Sequence, residues 1–174
     1  PQDFVEAARL YQLAASQGYP YALYNLGNMY KDGMGVPQDV VEAVRLYQLA
    51  ADQGYALAQN NLGLMYEEGM GVPQDFVEAA RWVQLAADQG EAIAQYNLGR
   101  LYESGIGVTK NAAEAERWYQ LAEAQGFSAP STGFTWSNAS AVLVLFVILF
   151  ITYMYKKFKK VEDSVRNESD PINP

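Results

Sequence analysis

The sequence predicts an all-α protein, a stack of helix hairpins over residues 1–126 followed by a single transmembrane helix at 139–155. Three observations predict it. A pair of segments recurs at a fixed spacing of 36 residues, and a period in this range is the mark of a solenoid. Helix-forming Ala, Leu, Glu, Gln and Arg dominate those units, with no β-branched run at period two. Finally, an uncharged run of 17 residues near the C-terminus is followed at once by the basic block KKFKK, the pattern of a span with a cytoplasmic flank.

The first segment type is PQDFVEAARLYQLAASQG at 1–18, recurring at 37–54, 73–90 and, as TKNAAEAERWYQLAEAQG, at 109–126. Asp39 precedes an apolar-periodic run with Glu42 three residues on, a capping-box pattern repeated at Asp3/Glu6, Asp75/Glu78 and Asn111/Glu114. Ala43, Leu46, Tyr47 and Ala50 share one helix face and Gly54 supplies a left-handed stop. The second type is ALYNLGNMYKDGMGV at 22–36, with copies at 56–72 and 92–108. Ala22, Leu26, Met29 and Tyr30 make its apolar stripe. Gly27 leaves room for a neighbouring backbone, and Gly33, Gly35 and Val36-Pro37 turn the chain toward the next cap. Predicted helices therefore run near 3–17, 20–33, 39–53, 56–69, 75–89, 92–105 and 111–125. The first unit lacks the helix that should pair with residues 4–17, which is expected of a fragment or processed product.

These features resemble the Sel-1-like repeat, a tetratricopeptide-like unit with the signature A-x-x-x-L-G-x-x-Y-x-x-G-x-G-V followed by a D-x-x-E-A-x-x-W/L-Y/F helix. Ala22, Leu26, Gly27, Tyr30, Gly33, Gly35, Val36, Ala43 and Tyr47 match it, as do their copies in the following units, with Val83 standing in for one tyrosine. The resemblance implies a right-handed α-solenoid whose concave face binds other proteins.

Residues 127–138, FSAPSTGFTWSN, break the period and read as a linker. Residues 139–155 rise about 25 Å as a helix, and inclusion of Trp136 extends this to about 30 Å. The lysines after them place the polar tail, 156–174, in the cytoplasm and the repeats on the non-cytoplasmic side, in a lumen, a periplasm or the exterior.

The net charge is −8, and residues 1–138 hold 16 acidic against 7 basic side chains. Such a surface repels phosphate and argues against nucleic acid as a partner. With no cysteine and no histidine in the chain, thiol and imidazole catalysis, disulfides and Cys/His metal sites are excluded. Adjacent acids such as Glu67 and Glu68 point in different directions on a helix. The chain is read as a non-enzyme without cofactor or metal.

Candidate binding residues come from the repeat pattern. Asn25, Asn61 and Asn97 form a ladder at the repeat spacing. In tetratricopeptide relatives such asparagines hold a ligand's backbone, and a structural hydrogen bond to the neighbouring helix explains them equally well. Positions that vary between units opposite the apolar stripe are Tyr24/Asn60/Tyr96, Asn28/Leu64/Arg100 and Lys31/Glu67/Glu103. Their variation suggests freedom from packing. Trp82 and Trp118 replace Leu10 and Leu46 and read as core, although Trp118, on the last hairpin, is also placed to meet a partner or the linker. A row at repeat spacing offers several modest contacts, which suits a peptide or helix of another protein and not a small-molecule substrate. The expected function is a membrane-anchored interaction scaffold. A small structural subunit of a membrane complex, or a non-catalytic regulator of a membrane enzyme, are the alternatives.

Overall fold

The computed structural model describes residues 2–127, all helix and tight turn. The predicted span at 139–155, with nearly all of the linker and the whole tail, lies outside the described residues. Seven helices follow in order among the described residues: α1 (Gln2–Ala15), α2 (Pro20–Asp32), α3 (Val40–Ala51), α4 (Ala56–Glu68), α5 (Phe76–Asp88), α6 (Ala92–Ser104) and α7 (Ala112–Glu123). Each packs mainly against the helices before and after it in sequence. None of them is long and apolar enough to cross a membrane.

The helix starts follow from the caps. Asp39 accepts a hydrogen bond from the Glu42 N–H, and Asp75 and Asn111 each accept two such bonds from the first turns of α5 and α7. Only half of the expected capping box forms. Glu42, Glu78 and Glu114 turn instead to Arg45, Arg81 and Arg117. The cap N–H of Asp39 is satisfied by the Tyr30 carbonyl, and those of Asp75 and Asn111 by Tyr66 and Tyr102. This bond closes each interhelical loop. Asp3 does not act as a cap, because it already lies in the first turn of α1. Helices α3, α5 and α7 end one or two residues before the predicted limits, since Gln53-Gly54 and its copies belong to the turn.

Helices α2, α4 and α6 end at Gly33, Gly69 and Gly105, all left-handed, whose N–H groups donate back to Met29, Met65 and Leu101. The second glycine of each loop serves packing as well as the turn. A Cβ on Gly71 would stand 2.7 Å from the Val40 carbonyl oxygen, so the loop after α4 rests on the first residue of α3. Gly27 and Gly99 admit the rings of Tyr47 and Tyr119 together with the expected neighbouring backbone, the Ala43 and Ala115 carbonyl oxygens standing 3.4 and 3.1 Å from where a Cβ would lie. At Gly63, where Val83 replaces the tyrosine, the Ala79 carbonyl comes close as well.

The core runs along the stack. One cluster joins Leu26, Leu46, Tyr47, Leu62, Met65 and Trp82, and the next joins Val83, Ala86, Leu98, Leu101 and Trp118. Burial of this apolar surface between successive units, more than any helix alone, holds the stack together.

Candidate protein-binding face

Helices α2, α4 and α6 carry almost all of the candidate residues, and side chains link these helices to one another. The Tyr47 hydroxyl donates to Asn28 Oδ1 at 2.6 Å, and Asn61 Nδ2 donates to the same oxygen at 3.3 Å. One unit further on, Asn97 Nδ2 donates to Asn60 Oδ1 at 2.8 Å. Arg100 meets Glu67 through both carboxylate oxygens, Nη1 to Oε1 at 2.7 Å. That carboxylate holds the Arg100 guanidinium above its ordinary pKa, and burial raises that of the Tyr47 phenol. The Tyr119 phenol is also raised, by burial and by its hydrogen bond to Glu103.

Most of the positions read as free of packing are therefore corrected, while Glu103 is exposed as expected. Asn60 is 1% exposed and forms part of the core. Tyr24 is half-buried against the rings of Tyr47 and Tyr55, at 6.0 and 5.4 Å, and Tyr96 against Tyr119 and Phe127, at 5.3 and 5.6 Å. Arg100 and Asn28 are half-buried in the bonds just described. These positions vary between units because each joint between units is solved with different side chains, not because they face solvent.

The asparagine ladder also divides. Asn25 donates to the Tyr21 carbonyl of its own helix, whereas Asn61 and Asn97 reach back to the preceding unit. Trp118 is 5% exposed, packed in the second core cluster with Arg117 over its ring at 4.8 Å. Its core reading holds.

Among the described residues, this face offers a partner a shallow recess of about 150 Å³ between α2 and α4, lined by Lys31, Asn61, Leu64, Glu68 and Met70 among others. Leu64 is the candidate residue best placed there, half-buried and apolar. The sequence reading missed a second set of bonds between units. Buried Gln59 donates to the Ala51 carbonyl and accepts from Gln89, and Gln95 does the same with Ala87 and Gln125. The recurrence of glutamine at both positions in successive units was the available signal.

Among solved structures, a protective antigen of uropathogenic Escherichia coli with an SLR fold is similar over 67% of this chain, at 46% identity and a TM-score of 0.66. A Sel1 repeat protein from Oxalobacter formigenes matches over 70% of the chain at 35% identity, with the same TM-score of 0.66. Helicobacter pylori cysteine-rich protein B shares the fold at 21% identity, over 72% of this chain and 90% of its own, with a TM-score of 0.58. The chain spans 25% of the Escherichia coli protein and 49% of the Oxalobacter protein. No curated protein matches the chain. The model of the Sel1 repeat fits residues 1–19, 20–55, 56–91 and 92–127 in unbroken succession, and the chain belongs to the Sel1 repeat family.

Proposed function

We propose that this chain is a protein-interaction scaffold whose repeats capture a peptide or helix of a partner along α2, α4 and α6, and that residues 139–155 hold it in a membrane. The observation that carries the reading is the side-to-side linkage of α2, α4 and α6 through Asn28–Asn61, Asn60–Asn97 and Glu67–Arg100. It joins the three helices into one face several units long, with a shallow, mixed recess on it. Extended, preorganised surfaces of this kind suit a polypeptide, because they lower the ordering cost of binding. The Sel1 repeat family membership supports the same reading.

The membrane part is supported by the sequence: 139–155 has no charge and is followed by four lysines within KKFKK. Those lysines favour a cytoplasmic tail and repeats on the opposite side. The Escherichia coli relative is a protective antigen, which accords with repeats outside the cytoplasm. A partner should be recovered from solubilised membranes by the full chain and equally by a chain lacking 139–155, and it should be lost when Leu64→Asp is combined with Glu68→Lys. Recovery that depends on 139–155 and ignores the double change would favour a docking subunit instead. Extraction of the full chain by alkaline carbonate would overturn the anchor.

A further inference from the structure

A groove of about 350 Å³ lies between α1 and α3, with α2 beneath it, and shares no lining residue with the recess between α2 and α4. Leu23, Leu26 and Leu46 form its floor, and Arg45 and Glu42 stand at its rim. The repeat supplies its own comparison. The residues matching Leu46 in the next two units are Trp82 and Trp118, both buried, at 6% and 5% exposure. Each indole lies beneath the arginine that corresponds to Arg45: Arg81 is 4.1 Å from the Trp82 ring and Arg117 is 4.8 Å from the Trp118 ring. The indole that occupies this place in two units is missing from the α1/α3 unit, while the covering arginine is kept.

The floor is also more apolar here, while Gln12, Ser16, Glu42 and Arg45 give the open groove polar walls. Leu23 stands where the later units have the hydrogen-bonding Gln59 and Gln95, so no amide enters the α1/α3 groove from that position. An apolar cavity of ~150 Å³ suffices for a benzene ring. The space at α1/α3 therefore accepts an aromatic ring together with part of the backbone that bears it.

We infer that the α1/α3 groove is a docking site for a tryptophan side chain of a partner polypeptide, seated on Leu23, Leu26 and Leu46 and covered by Arg45 as Trp82 is covered by Arg81. The site shares no lining residue with the recess between α2 and α4, so either can fail without the other. The flat, polarisable guanidinium over the ring gives the preference for an aromatic over an aliphatic side chain.

The test uses the full chain in lipid nanodiscs with 13C-labelled leucine methyls, titrated with the tripeptide Gly-Trp-Gly and, as a control, Gly-Leu-Gly. Saturable shifts of the Leu23, Leu26 and Leu46 methyls are expected with the tryptophan peptide, with Leu64 in the α2/α4 recess unmoved. Leu46→Trp should fill the groove from within, abolish those shifts at Leu23 and Leu26, and raise the melting temperature. Arg45→Ala, a surface change that keeps the groove, should weaken the tryptophan peptide about two- to fivefold and decides the matter if Leu46→Trp does not fold. Absence of saturable shifts, equal response to the two peptides, or unchanged binding by Arg45→Ala would overturn the assignment.

Discussion

Arg100 on α6 grips Glu67 on α4, one repeat away, with two hydrogen bonds, and leaves that carboxylate only 11% exposed. The four Glu–Arg pairs at i,i+3, such as Glu42–Arg45, sit on single helices with arginines 49–59% exposed. Geometry separates the two classes. A pair within one helix ties nothing together that the helix does not already hold, whereas the α4–α6 pair joins two units and is partly withdrawn from water.

Arg100→Ala should therefore lower stability by about 1–2 kcal/mol, because a shielded carboxylate loses its partner. Arg45→Ala should change it by no more than about 0.5 kcal/mol. Urea unfolding of the two variants checks the contrast, and equal midpoints would show that the link between units adds nothing.

The asparagines give a second contrast. Asn97→Ala removes the donor to Asn60 Oδ1, an oxygen of a residue that is 1% exposed, and should cost about 1–3 kcal/mol. Asn25→Ala removes only a bond within α2 and should cost about 0.5 kcal/mol or less. A similar loss from both would mean that the ladder acts as three equivalent residues.

The same contrast shows what could be read in advance. Period, caps and glycine stops placed seven helices because they depend on neighbours in sequence, and Asp39, Asp75 and Asn111 do cap. The faces of α2, α4 and α6 were misread because each is packed on two sides, by its own hairpin partner and by the units before and after. A single apolar stripe such as Leu26/Met29 marks only part of such a surface. Polar bonds between units, as at Asn60, Gln59 and Arg100, hide burial behind hydrophilic residue types. Loss of Tyr24, Tyr96 or Arg100 would consequently disturb the packing of the stack itself.

Tyr47 is fully buried, and burial raises its phenol above the ordinary value. In the unfolded chain a tyrosine loses its proton near pH ~10, while folded Tyr47 keeps it. The unfolded state then binds fewer protons than the native state, so stability falls as pH rises above that point. Tyr47→Phe has no such proton to lose and should show a shallower alkaline decline, from a lower starting stability because the bond to Asn28 is gone. Melting curves between neutral pH and the alkaline limit test this, and parallel declines would remove Tyr47 as the cause.

Gly54 and Gly71 share a left-handed backbone, with φ of +83° and +70°, yet differ in surroundings. A Cβ on Gly54 meets nothing within 4 Å, whereas one on Gly71 lies 2.7 Å from the Val40 carbonyl oxygen and 3.0 Å from its carbon. Gly54→Ala therefore carries only the cost of placing an L-residue in that conformation, about 1–2 kcal/mol. Gly71→Ala carries the same cost and in addition forces the loop after α4 away from the start of α3, for a total loss of about 3 kcal/mol or more. The obstacle is backbone at the capped end of a helix, held by the Asp39 N–H bond to Tyr30 and by the Asp39 side chain, so it cannot swing aside as a side chain would. Hydrogen exchange should accordingly quicken in the first turn of α3 for Gly71→Ala and stay unchanged there for Gly54→Ala. Equal destabilisation with unaltered exchange at Val40–Ala43 would show that the second glycine serves the turn alone and that contact between this loop and α3 does not hold the repeats together.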